Sequence, residues 1–288
     1  MSPAALSSLE RANQFLSIGH YSPNTARNYL AELRMVFAYY NDVDPQQYTE
    51  EMMIQYLVYL SKTLVCSREK CRMAAQAISF FFRYVLKMAY VVPSLIYPRV
   101  SKKLPPVMSA EEISKLMEVI SNVKHRTVVM LLYSTGMRVN EIARVKITDV
   151  DSKDMRIKVV QGKGSKDRYT LMSQQVLEEL RAYYLVCRPK EYLFNGRVKG
   201  QPLSVRMIQH MVQGALASAG MSKKSYTVHT IRHSFATHLV DNGVDLHTVK
   251  ELLGHSNLQT TMRYMHLTTT RRQGIVNPYD LLRKGADQ

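Results

Sequence analysis

Met155-Arg-Ile-Lys-Val-Val160-Gln161-Gly-Lys-Gly-Ser-Lys-Asp167-Arg168-Tyr-Thr-Leu-Met172 is the stretch that sets the fold class, because the rest of the chain reads as helix. Met155 to Val160 alternates at period two, and Arg168 to Met172 is also strand-like. Gln161 to Asp167 between them is glycine-rich and basic. Two such runs joined by a glycine-containing loop make a β-hairpin, here with lysine at its tip. Upstream, Ser109-Ala-Glu-Glu112 is a capping box leading into Ile113, Leu116, Met117 and Ile120. More helices follow through Ala143, and from Gln174 onward the chain is helical again, with turns near Asn195-Gly196, Gly220, Gly243 and Gly254. A mainly helical domain with one small antiparallel sheet is expected.

The first hundred residues read as helix alone. Ser22-Pro23 supplies an N-cap and a proline at the first helical position. Ala26, Tyr29, Leu30, Leu33, Phe37 and Tyr40 then recur at helical spacing. Further helices are expected over Glu50 to Lys62 and Arg68 to Ala89, with Phe80, Phe81, Phe82 and Tyr84 as core rather than base-stacking residues. Pro98-Arg-Val-Ser-Lys-Lys-Leu-Pro-Pro106 holds three prolines and three cations and cannot be helix interior. It reads as a basic linker, either laid along a phosphate backbone through Lys102 and Lys103 or simply solvated. The division expected is a helical domain over 1–98, a linker over 99–107 and a second domain over 108–288.

The composition narrows the partner. The chain has 288 residues, 46% of them hydrophobic, with 39 Lys and Arg against 23 Asp and Glu, for a net charge of +16. Such an excess favours a polyanion, and nucleic acid gains from counterion release at several Lys/Arg–phosphate contacts. Three cysteines (Cys66, Cys71, Cys187) make no even disulfide framework and fit a reducing cytosol. No basic region leads into an apolar run at the N-terminus, and the apolar stretch Ile78 to Val92 is broken by Arg83 and Lys87. A soluble, cytoplasmic protein without membrane contact is expected.

One chemistry uses the reactive residues together. A tyrosine is ionised to only about one part in a thousand at pH 7, so as a nucleophile it needs a base or a positive surround. A phosphorane carries extra negative charge, which arginines can hold bidentately. The departing oxygen needs a proton, which a lysine can give. Arg138, Lys163, His229, Arg232, His255 and Tyr264 offer this set in order. His229 and His233 stand four apart, but no Glu follows His229, so the zinc-protease pattern fails and no metal site is read.

These residues sit in blocks: Ser134-Thr-Gly-Met-Arg138-Val-Asn-Glu141, Gly162-Lys163-Gly-Ser-Lys166-Asp-Arg168, His229-Thr-Ile-Arg232-His233-Ser-Phe-Ala-Thr-His-Leu239, Leu252-Leu-Gly-His255 and Thr261-Met-Arg-Tyr264. The chain resembles the tyrosine recombinases of the phage-integrase superfamily, closest in layout to the short Xer-type enzymes. The resemblance implies a SAM-like helical core-binding domain followed by a mixed α/β catalytic domain. It implies Arg138 and Arg232 as phosphate clamps, Lys163 as general acid, His229 as acid/base, His255 on the scissile phosphate and Tyr264 as nucleophile. Glu141 and His233 would support them, the first by orienting an arginine, the second as a hydrogen-bonding neighbour. Lys166 and Arg168 join Lys102 and Lys103 as DNA-contact candidates.

On that resemblance the protein is a site-specific recombinase. It would cleave and rejoin double-stranded DNA at a core site through a 3′-phosphotyrosyl link, giving integration, excision or resolution without cofactor, metal or ATP. It would work as a homo-tetramer on two duplexes, alone or with a paralogous recombinase. The chain begins near its core-binding helices, leaving no room for an arm-binding domain, and Leu171 to Phe194 is too short for the extra helix of integron integrases. An apolar tail (Ile275, Val276, Tyr279, Leu281, Leu282) would dock on a neighbouring subunit or pack within its own. A DNA-binding regulator with an idle site, and a type IB topoisomerase-like nickase, are the other readings of the same residues.

Overall fold

The computed structural model describes residues 1–88, 105–160, 167–198, 200–255, 257–262 and 264. The chain divides into two compact units, Met1–Lys102 and Lys103–Gln288. Most of the expected basic linker, with Lys102 and Lys103, lies outside the described residues, as do Lys163, Lys166 and the apolar tail. Among the described residues no helix is long and apolar enough to cross a membrane.

The first unit is all helix: α1 (Pro3–Ile18), α2 (Pro23–Tyr39), α3 (Glu50–Val58) and α4 (Arg68–Phe80). Each begins on a Ser or Thr whose hydroxyl accepts from a backbone N–H of the first turn: Ser2, Ser22, Thr49 and Ser67. Each cap satisfies one of the donors that a helix start leaves unpaired. α3 and α4 do not end where their apolar pattern ends. Each widens into a π-helical segment, Tyr59–Thr63 and Phe81–Leu86, so the expected helices continue with a different hydrogen-bond period. Phe80, Phe81 and Phe82 are buried as expected, whereas Tyr84 is 40% exposed with its ring 5.0 Å from that of Phe80. Between α2 and α4, Lys70 Nζ donates to buried Glu32 at 2.7 Å.

The second unit opens on α5 (Ala110–Glu118), where Ser109 and Glu112 form the expected capping box. α6 (Val123–Thr135) and α7 (Val139–Arg144) follow, then β1 (Val150–Asp151), β2 (Arg156–Val159) and β3 (Arg168–Leu171). The strands form one antiparallel sheet in the order β1-β2-β3, with Ile157 opposite Thr170 and Val159 opposite Arg168. The expected hairpin is therefore present, each strand one or two residues shorter than its pattern. Two-residue β1 is an addition that no alternation could reveal.

α8 (Gln174–Cys187), α9 (Val205–Ser218), α10 (Val228–Asp241), α11 (Leu246–Leu253) and α12 (Leu258–Met262) complete the unit. α10 is buried on nearly every side, from Val228 and Ile231 to Phe235, Ala236 and Val240. One side joins the main core of the unit, and the other closes a smaller cluster with Val249, Leu253 and Tyr264. Arg232 and His233 are thereby fixed between two apolar packings.

Candidate active site

Two helices stop abruptly beside α10, and their ends build the site. α6 ends on Gly136 at φ +58° and α11 on Gly254 at φ +62°, the left-handed cap conformation that glycine adopts without strain. Both positions also need the missing side chain. A Cβ on Gly136 would lie 2.3 Å from the Phe235 ring, and one on Gly254 2.9 Å from the Arg168 side chain. The last carbonyls of a helix have no partner within it and carry the negative end of its dipole. Here they face arginines. Arg232 donates to Gly136 O and, at 2.7 Å, to Leu253 O. Arg168 Nε donates to Leu252 O at 3.0 Å, and Arg138 Nη2 to Gly254 O at 2.9 Å.

Glu141 stands among these three guanidiniums, its side chain 7% exposed. It lies in the first turn of α7 and reaches back to the Arg138 backbone N–H at 2.7 Å, half of a capping box. Arg138 Nη1 donates to its Oε1 at 2.9 Å. Arg168 grips both oxygens, Nη1 to Oε1 at 2.9 Å and Nη2 to Oε2 at 2.7 Å. Arg232 Nη1 is 4.0 Å from Oε2. Three cations against one carboxylate leave two positive charges in a largely dry setting. Burial alone would raise the Glu141 carboxyl, but the hydrogen bonds and charge of Arg168, with those of Arg138, hold it down at about 2. Burial and the like charge of Arg138 bring Arg232 to about 10, so it remains a cation at neutral pH.

The histidines connect this cluster to Tyr264. Arg232 Nη2 lies 3.2 Å from His255 Nε2, and a guanidinium can only donate, so Nε2 is the acceptor. The proton of neutral His255 then sits on Nδ1 and is donated to Thr261 Oγ1 at 2.9 Å. Burial, reinforced by Arg232 and Arg138, pushes the His255 pKa to about 3, so the ring is neutral across the physiological range. Its plane stacks at 15° on the Tyr264 ring, centroids 6.4 Å apart. The Tyr264 hydroxyl is 2.9 Å from His233 Nδ1, and the side chain is 2% exposed.

Arg138, Arg232, His255, Tyr264, Glu141 and His233 therefore converge from the start of α7, from α10 and from just beyond the ends of α11 and α12, although the sequence spreads them over more than a hundred residues. His229 lies in the first turn of α10 and is exposed. Arg168 is placed differently from its expected part as a DNA contact. Its side chain is 11% exposed and three of its N–H groups are taken by Glu141 and Leu252. Alternation along β3 turns Arg168 inward with Thr170, while the more apolar Tyr169 and Leu171 face out. That inversion of the usual pattern concealed its direction. His233, expected as a hydrogen-bonding neighbour with no partner specified, meets the Tyr264 hydroxyl across 31 positions. Among the described residues no group of His, Cys, Asp and Glu is arranged to hold a metal ion.

Residues 106–271 match the phage integrase family, and residues 9–90 match the phage integrase N-terminal SAM-like domain. The chain belongs to the phage integrase family and is a tyrosine recombinase, an enzyme of site-specific DNA recombination. It is 33% identical to tyrosine recombinase XerA of Thermococcus kodakarensis over 266 residues, 90% of each protein. Among solved structures it resembles XerH site-specific recombinase bound to difH substrate in a pre-cleavage complex, at 25% identity and a TM-score of 0.69 over 83% of this chain and 76% of that one. Its fold is also that of lambda integrase, solved as a tetramer bound to a Holliday junction, with a TM-score of 0.69 at 18% identity over 94% of this chain and 78% of that one.

Proposed function

We propose that the protein cleaves and rejoins a double-stranded core site with Tyr264 as nucleophile. The observation that carries this reading is the Tyr264 hydroxyl in hydrogen-bond contact with His233, its ring stacked on the histidine that accepts from Arg232. The buried hydroxyl must be uncovered before a phosphate reaches it, so binding precedes chemistry. Tyr264 Oη then attacks the scissile phosphorus and passes its proton to His233, the base already within reach. The Oη–P bond forms as the P–O5′ bond breaks, leaving a 3′-phosphotyrosyl link. Lys163, at the hairpin tip outside the described residues, gives the departing O5′ its proton. Arg138 and Arg232 hold the non-bridging oxygens as charge develops. His229 serves acid/base chemistry on the exposed phosphate side, and His255 keeps Arg232 in register.

A 5′ hydroxyl from a partner strand reverses the step, so no energy source is needed beyond the phosphodiester itself. Two such exchanges through a four-way junction give integration, excision or resolution. The expected assembly is a homo-tetramer on two duplexes in the cytoplasm. The DNA complexes of XerH and the Holliday-junction tetramer of lambda integrase support it by likeness of fold. Tyr264→Phe tests the reading: it should bind a cognate duplex like the wild type and form no SDS-resistant protein–DNA adduct. An adduct formed by Tyr264→Phe and abolished by Tyr279→Phe would move the nucleophile to Tyr279.

A further inference from the structure

Arg168, at the start of β3 with its side chain 11% exposed, has a part in the reaction that its place beside a basic loop does not suggest. Arg168 is the residue that occupies both oxygens of Glu141, at 2.7 and 2.9 Å, while its Nε holds Leu252 O at 3.0 Å. Glu141 in turn binds the Arg138 guanidinium through one nitrogen only, Nη1, and leaves Arg232 at 4.0 Å. A buried carboxylate flanked by three guanidiniums forms its strongest pair with whichever can present two parallel N–H groups. In this fold that partner is Arg168, and the consequence falls on the other two. Arg138, the most open of the three at 26% side-chain exposure, keeps the rest of its fork directed away from Glu141.

We propose that Arg168 is a positioning residue for cleavage: by saturating Glu141 and tying the hairpin strand to the end of α11, it keeps Arg138 and Arg232 available to the scissile phosphate. Without it, Glu141 turns its second oxygen to Arg138 or Arg232 and draws that fork inward. The charge of Arg168 alone does not do this. Lysine carries its three donors on one nitrogen and has no planar fork, so it cannot pair Glu141 through two parallel N–H groups while a separate nitrogen holds Leu252 O. The inference rests on Arg138 and Arg232 acting as the phosphate clamp.

A double-mutant cycle with the full-length protein separates the possibilities. Wild type, Arg168→Lys, Glu141→Gln and the double variant are compared for adduct formation on a nicked core-site duplex. Duplex affinity and thermal melting are measured on the same samples. If Arg168 positions through Glu141, Arg168→Lys slows adduct formation by about tenfold to a hundredfold, the loss typical of misplacing a catalytic group by about an ångström. Affinity stays within about twofold, since the charge is kept. In the Glu141→Gln background the same change costs much less, because the carboxylate it restrains is gone. Three outcomes overturn the proposal: an Arg168→Lys rate equal to wild type, equal losses in both backgrounds, or a rate loss matched by loss of affinity and melting temperature. Absence of any adduct with wild type would instead strike the clamp reading on which the inference stands.

Discussion

At the residue scale, the site is an exercise in keeping cations close without neutralising them. Glu141 is one carboxylate for three arginines, and the remaining acceptors are backbone carbonyls, which orient a guanidinium without removing its charge. His255 belongs to the same design. Its depressed pKa keeps it an acceptor for Arg232 where a protonated ring would repel it. That has a consequence for stability. In the unfolded chain His255 takes up a proton near pH 6.5, but in the fold only near pH 3, so between those values the unfolded chain binds more protons. Stability therefore falls as pH falls through this window. Glu141 adds a second loss: its folded pKa of about 2 lies below the ordinary 4.5, and the stability it supplies above 4.5 disappears as pH drops between the two. The melting temperature should decline from pH 7 to pH 5, and His255→Asn should decline less over that interval. The slopes are the quantity to compare, and equal slopes would contradict the buried neutral state of His255.

Elements decide whether these residues can meet. The ends of α6 and α11 serve as acceptors because glycine lets each helix stop with its carbonyls turned toward α10. Gly136→Ala should destabilise the protein by more than the roughly 1 kcal/mol of a left-handed residue that gains a Cβ, since that Cβ would also strike Phe235. Gly220→Ala is the matched control, at φ +74° with nothing within 4 Å of the new atom. Urea unfolding compares them, and similar losses would show that contact with Phe235 carries no weight. This scale also shows what the sequence could and could not reveal. Ser22, Ser109-Glu112 and the alternation of Met155 to Val160 act locally, so helix starts and the hairpin were legible. The π-helical ends of α3 and α4 were not, because the apolar positions continue through them while only the hydrogen-bond period changes. Arg168, a DNA-contact candidate by sequence, turns inward instead, and only tertiary structure shows Glu141 beneath it. The order of the reactive residues was plain in the motifs; the pairing of His233 with Tyr264 was not, since nothing in either block refers to the other.

On the scale of the whole molecule, a chain of net charge +16 is divided into an all-helical unit and a unit that holds the charged cluster. Family membership accounts for that division: both units match parts of phage integrases. The central claim is narrower than membership, namely that this chain links itself to DNA through Tyr264 at a 3′ phosphate. The direct measurement is to trap wild-type protein on a nicked suicide duplex of its core site, with EDTA present and ATP absent, then digest the adduct and identify the modified peptide by mass. The account predicts a nucleotide attached through its 3′ phosphate to Tyr264. A link to a 5′ phosphate or to another residue, or an adduct that forms only when a divalent metal is supplied, would contradict it.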